Sequence, residues 1–151
     1  MDKHFISVQQ LIDITIYLIK QFNENFNTIP LNLFLNEVLK RSKTSYCILC
    51  LTNIYILRII NKKKKNNNKI KLPIEGRKIF IGTLILATKY HSDNSYKNIV
   101  WSKLTGLSIN EINNIEISIC KFIDYNFLVS KEQLLLVYTY IKNNINEIYK
   151  I

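Results

Sequence analysis

Glycine and proline are scarce in this chain of 151 residues, which contains three of the first and two of the second. Both commonly mark the tight turns of strand-rich folds, and no stretch sustains the apolar-polar alternation of a half-buried strand. Apolar residues instead recur at helical spacing along most of the chain. The sequence therefore predicts an all-α protein built as one globular domain.

The sequence also lacks the motifs of common enzyme classes. It has no glycine-rich phosphate loop and no paired-carboxylate motif. Its two histidines, His4 and His91, have no serine or cysteine nucleophile placed beside them by a recognisable motif. We therefore expect no catalytic residues, no small-molecule substrate and no cofactor.

Cysteine occurs three times, an odd number that does not suit a disulfide framework. Together with the lack of a signal-like opening segment, this predicts a reducing intracellular compartment, nuclear or cytoplasmic. Cys47 and Cys50 have the spacing of half a zinc site. They lie inside an apolar helical pattern, however, and no second Cys or His pair follows at zinc spacing, so we expect them to be structural, with no bound metal.

Acidic residues number 11 against 21 basic ones, which leaves a net charge of +10 and raises nucleic acid or an anionic membrane as a partner. The distribution of the charge argues against both partners, because Lys62 to Lys78 carries +7 and the other 134 residues only +3. Within it, the lysine and asparagine run from Lys62 to Lys71 predicts a solvated or disordered loop. No uncharged apolar run approaches the ~20 residues that a membrane-spanning helix needs, so we expect no membrane partner.

Helix-start residues divide the helical pattern into seven segments. Ser7 with Gln10, and Ser108 with Glu111, have the spacing of capping boxes, and Pro30 suits the start of another helix. The segment at residues 79–87 is apolar at nearly every position, as in a helix buried on all sides. The predicted helices span about residues 7–22, 30–42, 44–60, 79–87, 96–104, 108–124 and 130–149. The last of them is expected to dock on the bundle through Leu134, Leu135, Val137, Tyr138 and Ile141.

The most informative motif lies in the second half of the chain. Leu-Ala-Thr-Lys-Tyr at Leu86 to Tyr90 is followed by Asp93, Tyr96 and Trp101, and then by Gly-Leu-Ser-Ile-Asn-Glu-Ile-Asn-Asn-Ile-Glu at Gly106 to Glu116. This order resembles a cyclin box, and in particular that of the single-box, Pho80-like cyclins of the P and U types. Residues Tyr55 to Arg58 stand where cyclins commonly carry Tyr-(Ile/Leu)-Asp-Arg.

The resemblance implies a cyclin-box bundle of five helices with a flanking helix at each end. The implied division is an N-terminal flank at residues 1–28, the box at 29–129 with a basic loop at 62–73, and a C-terminal flank at 130–151. It also implies the function of a cyclin, which binds a cyclin-dependent protein kinase and activates it by holding the kinase αC helix and activation loop in the active arrangement.

Seven residues match the kinase-binding face of cyclins. Lys89 and Glu116 match a lysine and a glutamate that lie together on that face and contact the kinase main chain. The apolar part of the face would be Leu86, Tyr90, Cys120, Tyr125 and Phe127. From the sequence pattern alone, Lys89 is explained as a cation that interacts favourably with a helix C-terminus, and Glu116 as a solvated residue. The aromatic side chains are explained as part of the hydrophobic core.

Two other uses of a cyclin fold remain open at this point. General transcription factors of the TFIIB type share the fold and bind nucleic acid, and the basic stretch from Lys62 to Lys78 would suit that role. A helical scaffold that has lost kinase binding is the second possibility. Leu57 keeps it open, because Leu57 replaces the usual aspartate of the Tyr-(Ile/Leu)-Asp-Arg motif and cannot accept a hydrogen bond through its side chain.

Overall fold

A computed structural model describes residues 6–22, 29–66 and 75–149, and these form seven α-helices with no strand among them. The all-α prediction is thereby confirmed. The helices are α1 (Val8–Ile19), α2 (Leu31–Ser42), α3 (Tyr46–Lys65), α4 (Gly76–His91), α5 (Asn98–Thr105), α6 (Ile109–Phe122) and α7 (Lys131–Tyr149). Among the described helices, none has the combined length and hydrophobicity of a membrane span.

Serine side chains cap several of these helices, and the capping box predicted from Ser7 and Gln10 is present. At α1 the Gln10 amide donates to Ser7 Oγ over 3.0 Å, and the Ser7 amide donates to Gln10 Oε1 over 2.8 Å. Ser130 and Gln133 form the same reciprocal pair at α7, over 3.1 and 3.0 Å. Each pair satisfies two backbone N–H groups that have no partner within the helix.

The predicted second capping box is only half present. The Glu111 amide donates to Ser108 Oγ over 3.1 Å, so Ser108 does cap α6. The Glu111 carboxylate accepts from the Ser108 hydroxyl over 3.4 Å and lies 3.7 Å from the Lys78 ammonium. A cation on the neighbouring helix therefore competes for the carboxylate that would have completed the box.

Helix α4 is the centre of the bundle and is longer than its apolar core of residues 79–87. It is buried at every position from Gly76 to Thr88 except Lys78, and it packs most extensively on α3 and α6. Gly82 permits a close approach to α6, because a Cβ at this position would overlap the side chains of Ile115 and Ile119.

Helix α3 extends to Lys65, so the predicted loop at 62–73 begins too early. Lysine is a good helix former, and the first two lysines of the run have partners that hold them in place. Lys62 Nζ donates to the Phe122 carbonyl and, over 2.8 Å, to the Asp124 carboxylate, while Lys63 Nζ lies 5.1 Å from the ring centre of Phe22. Residues 67–74 lie outside the described part of the chain.

Helix α7 returns to the bundle and packs on α1 and α3. Ile141 is buried, and Leu134, Val137 and Tyr138 are partly buried against the core, as predicted. Leu135 is 64% exposed, so its predicted docking role is wrong. Leu135 follows Leu134 directly, and adjacent residues of a helix point about 100° apart, so both cannot face the same neighbour.

Candidate functional site

Lys89 and Glu116 lie side by side although 27 positions separate them in the sequence. Lys89 is in the last turn of α4, and its Nζ donates to Oε1 and Oε2 of Glu116 on α6 over 2.9 and 3.0 Å. The Lys89 side chain is 31% exposed and that of Glu116 is 14% exposed. The close packing of α4 on α6 at Gly82 brings the two helices together.

Two asparagines complete this network: Asn113, which lies within the motif from Gly106 to Glu116, and Asn98, which the sequence motifs did not single out. Asn98 Oδ1 accepts from Lys89 Nζ over 2.7 Å, so the ammonium group uses all three of its donors within the protein. Asn98 Nδ2 in turn donates to Asn113 Oδ1 over 2.6 Å. Asparagine supplies 19 residues of this chain, so the presence of one at position 98 carried no signal.

Exposed apolar side chains lie next to Lys89 in the sequence and in the segment that follows α6, and the rings of Tyr90 and Tyr125 both pack on that of Phe127. Tyr90 is 60% exposed, Tyr125 is 61% exposed and Leu128 is 82% exposed. Together with Lys89 and Glu116, these three residues make up what we call the Lys89–Glu116 face. Leu128 directly follows Phe127, the last of the predicted site residues, and was not itself among them.

The remaining predicted site residues lie beneath or beside this face. Leu86 and Phe127 are 4% and 3% exposed, so a partner cannot reach them directly in this conformation. The ring of Phe127 lies 4.2 Å from that of Tyr90 and meets that of Tyr125 edge-on at 6.4 Å, so it supports both from below. Cys120 is half-buried, and burial raises the pKa of its thiol, with a further contribution from the Glu116 charge.

Tyr55 links the inner side of this aromatic cluster to α3 and α4. Its hydroxyl donates to the Phe127 carbonyl over 2.8 Å and lies 2.7 Å from His91 Nε2. Burial raises the pKa of Tyr55 to about 12. Burial also lowers the pKa of His91, although hydrogen bonding to the Phe127 backbone opposes this. Both groups are therefore neutral at physiological pH.

Arg58 has backbone partners that its sequence motif did not predict. Its Nη1 donates to the Asn126 carbonyl over 2.7 Å and its Nη2 to the Leu128 carbonyl over 2.8 Å. The guanidinium also lies 5.8 Å from the ring centre of Tyr55. Leu57 beside it is partly buried against the core. Arg58 therefore needs no carboxylate at position 57.

The described residues offer no metal centre, since none of their His, Cys, Asp and Glu side chains form a cluster of three or more. Cys47 is exposed and Cys50 half-buried on α3. Burial raises the pKa of Cys50 to about 11, so this thiol is protonated at neutral pH and is a poor metal ligand.

Grooves of about 490 and 330 Å³ lie along α1, α3 and α7 in the described part of the chain, and one of about 450 Å³ lies between α3 and residues 123–126. Neither Lys89 nor Glu116 lines any of these three. Exposed aromatic side chains such as Tyr90 and Tyr125 are typical of protein interfaces, where aromatic residues are enriched.

Comparison with known proteins decides the family. The sequence model of the Cyclin family matches residues 6–127, a segment that includes α1 to α6 and the whole motif from Leu86 to Glu116. The chain belongs to the cyclin family. It is 34% identical over 117 residues to the G1/S-specific cyclin pas1 of Schizosaccharomyces pombe, an alignment that covers 76% of this chain and 28% of pas1.

Two budding-yeast relatives extend this result. PHO85 cyclin-2 of Saccharomyces cerevisiae is 29% identical over 108 residues, covering 70% of this chain and 34% of the relative. PHO85 cyclin-5 of the same species is 31% identical over 106 residues, covering 68% and 46%. The cyclin therefore spans less than half the length of these relatives. The matches confirm the predicted resemblance to Pho80-like cyclins, while the predicted division at residues 28 and 129 stays a prediction.

Proposed function

We propose that this cyclin binds and activates a cyclin-dependent protein kinase through the Lys89–Glu116 face. The observation that carries the proposal is that residues far apart in the sequence meet there as an accessible ion pair flanked by exposed aromatic side chains. Two relatives are named as PHO85 cyclins, so a kinase of the Pho85 type is the first candidate partner.

The ion pair suits recognition of the kinase main chain. Glu116 accepts two hydrogen bonds from Lys89, which leaves lone pairs on its carboxylate for N–H groups of a partner. Lys89 can exchange its bond to Asn98 for one to a backbone carbonyl, at little cost because the donor count is unchanged. Hydrogen bonds to charged groups are about twice as strong as neutral ones, so the pair would orient the kinase αC helix.

The apolar side chains of the face would supply most of the affinity. Tyr90 and Tyr125 offer large, rigid surfaces, and aromatic residues are enriched among the few that dominate binding energy. Leu86 and Phe127 would act from beneath by fixing the backbone and rings above them. Cys120 would contribute a small apolar contact at the edge of the same face.

Activation follows from selective binding to one kinase conformation. An isolated cyclin-dependent kinase is expected to hold αC displaced, which breaks the Lys–Glu pair that positions the ATP phosphates. Shifting such an equilibrium from 1:99 to 99:1 requires ~5.5 kcal/mol of differential binding. A standard interface of ~1,600 Å² with a few buried anchors is large enough to supply it. All catalytic groups would belong to the kinase.

The test is phosphate transfer by candidate kinases of the same organism, with and without this cyclin. The wild type should bind and stimulate one of them, and the Lys89→Ala/Glu116→Ala variant should do neither while keeping its helical circular dichroism. A matched control is Glu37→Ala/Arg41→Ala, which removes an exposed ion pair of 2.7 Å on α2 and should behave as wild type. Stimulation by the Lys89/Glu116 variant equal to wild type would refute the proposed face.

The same proteins distinguish a nucleic-acid role. Phosphate binding through the lysines of α3 would weaken steeply with salt and survive the loss of Glu116. Lys62 is already bound to Asp124 and to a backbone carbonyl, which reduces its capacity for phosphate contacts. No stimulation of any candidate kinase, together with salt-sensitive binding to nucleic acid, would contradict the kinase proposal.

A further inference from the structure

Three consecutive backbone carbonyls after α6 are held by two side chains of α3. Arg58 donates to the carbonyls of Asn126 and Leu128 over 2.7 and 2.8 Å, and Tyr55 donates to the carbonyl between them, that of Phe127, over 2.8 Å. The donors and acceptors are 68 to 72 positions apart in the sequence. These long-range hydrogen bonds fix the backbone of this segment in one shape.

The preceding turn is strained. Asp124 and Tyr125 have φ angles of 54° and 57°, in the left-handed region, and neither is glycine. Side chains with a Cβ are disfavoured there, so two such residues in succession persist only when neighbouring groups hold them. Lys62 does so from α3, because its ammonium donates to the Phe122 carbonyl and to the Asp124 carboxylate.

Tyr55, Arg58 and Lys62 are spaced by three and four residues, which places them in one row along α3. We call this row the α3 clamp. It holds residues 122–128, the segment that carries Tyr125 and Leu128 of the Lys89–Glu116 face outward into solvent. Phe122, Ile123 and Phe127 anchor this segment in the core, and the clamp adds hydrogen bonds to the backbone that carries Tyr125 and Leu128, so the core and the clamp together determine where these two side chains point.

We propose that the α3 clamp positions residues 124–128 for kinase binding, with Arg58 as its main positioning residue. This inference rests on the proposed function. A segment already held in its bound shape loses less conformational freedom on association, which favours affinity without any direct contact from the clamp. Arg58 is central because its planar guanidinium reaches two carbonyls at once, a geometry that a lysine cannot reproduce.

The test variant is Arg58→Lys, which keeps the positive charge and most of the side-chain stem. Hydrogen exchange of the free protein should become faster at residues 124–128, and kinase affinity measured by calorimetry should fall about tenfold or more, since bonds to charged groups are among the stronger ones. Arg41→Lys is the matched control on α2 and should change neither quantity. Thermal unfolding of both variants checks that the fold is kept.

A double-variant comparison separates positioning from general stability. In a Tyr125→Ala/Leu128→Ala protein, Arg58→Lys should cause no further loss of affinity, because the side chains that it positions are gone. In a Lys89→Ala protein, its effect should remain in full. Three results would each overturn the clamp proposal and leave the proposed function intact. Arg58→Lys could leave hydrogen exchange at residues 124–128 unchanged, or it could leave kinase affinity unchanged. It could also cause a full further loss of affinity in the Tyr125→Ala/Leu128→Ala protein. A wild type that binds no kinase overturns both.

Discussion

Gly82 controls how closely α6 approaches α4, and therefore whether Glu116 can reach Lys89. A Cβ at position 82 would lie 2.5 Å from Cγ2 of Ile115 and would overlap Cδ1 of Ile119 still more closely. Carbon atoms in contact are normally about 3.5–4.0 Å apart, so Gly82→Ala must displace α6 or force buried side chains out of their rotamers.

The cost can be worked from these contacts. Two overlaps with branched, buried side chains place Gly82→Ala at the upper end of overpacking, ~3 kcal/mol. Alanine regains ~1 kcal/mol of helix propensity over glycine. We therefore expect the free energy of unfolding to fall by ~2 kcal/mol, which lowers the melting temperature by about 4–8 °C in a protein of this size.

The assay is urea denaturation followed by circular dichroism, with Ile119→Val as the compensating change. This substitution removes the Cδ1 atom that the new methyl group would overlap. Alone, Ile119→Val should lower the free energy of unfolding by ~0.5–1.5 kcal/mol. The double variant should be ~1 kcal/mol more stable than the sum of the two single effects predicts. Kinase affinity should fall in Gly82→Ala and partly recover in the double variant. A Gly82→Ala protein as stable as wild type, with additive effects, would refute the close approach.

Three further expectations concern His91, Tyr55 and Asn53. Burial lowers the pKa of His91, so its contribution to stability is complete above its usual value of 6.5 and is lost as the pH falls below it; an NMR titration midpoint at or above 6.5 would contradict this. Burial raises the pKa of Tyr55 to about 12, so the free energy of unfolding should decline as the pH rises from 10 towards 12. In an absorbance titration of the tyrosines, Tyr55→Phe should remove one group that ionises near the upper end of this range. Both amide atoms of Asn53 are buried without a hydrogen-bond partner in the described structure, so Asn53→Leu should raise the free energy of unfolding by ~1 kcal/mol or more in urea denaturation; a loss of stability would show that the amide is satisfied.

The helices were largely predictable because their signals are local. Ser7 and Ser108 cap the helices that their spacing indicates, and the unbroken apolar run at 79–87 does form the buried centre of α4. The end of α3 was not predictable in the same way. A lysine and asparagine run is typical of a loop by composition, but Lys62 and Lys63 are held by α6 and by Phe22, contacts that exist only after the chain has folded.

In the candidate site too, residue identities were predictable from local sequence, whereas contacts between distant residues were not. Lys89 and Glu116 could be named from the motif, whereas their contact depends on helix packing and on Asn98, which no pattern distinguished. The solvent exposure of the site residues could not be predicted from the sequence either. Leu86 and Phe127 are among the seven predicted site residues yet point inward, because a helix or loop that borders the core must bury part of any apolar set that it carries.

Leu57 is the departure from the family motif that keeps a scaffold without kinase binding open, and Arg58 finds other partners in its place. An arginine whose acidic neighbour is lost would be costly if it were left buried and unpaired. Arg58 instead donates to two backbone carbonyls, and burial lowers its pKa only against the opposing effect of Tyr55. Leu57 meanwhile packs against the core as an apolar residue should. The missing carboxylate therefore leaves no unpaired charge at Arg58, and the segment that carries Tyr125 and Leu128 keeps its support from α3.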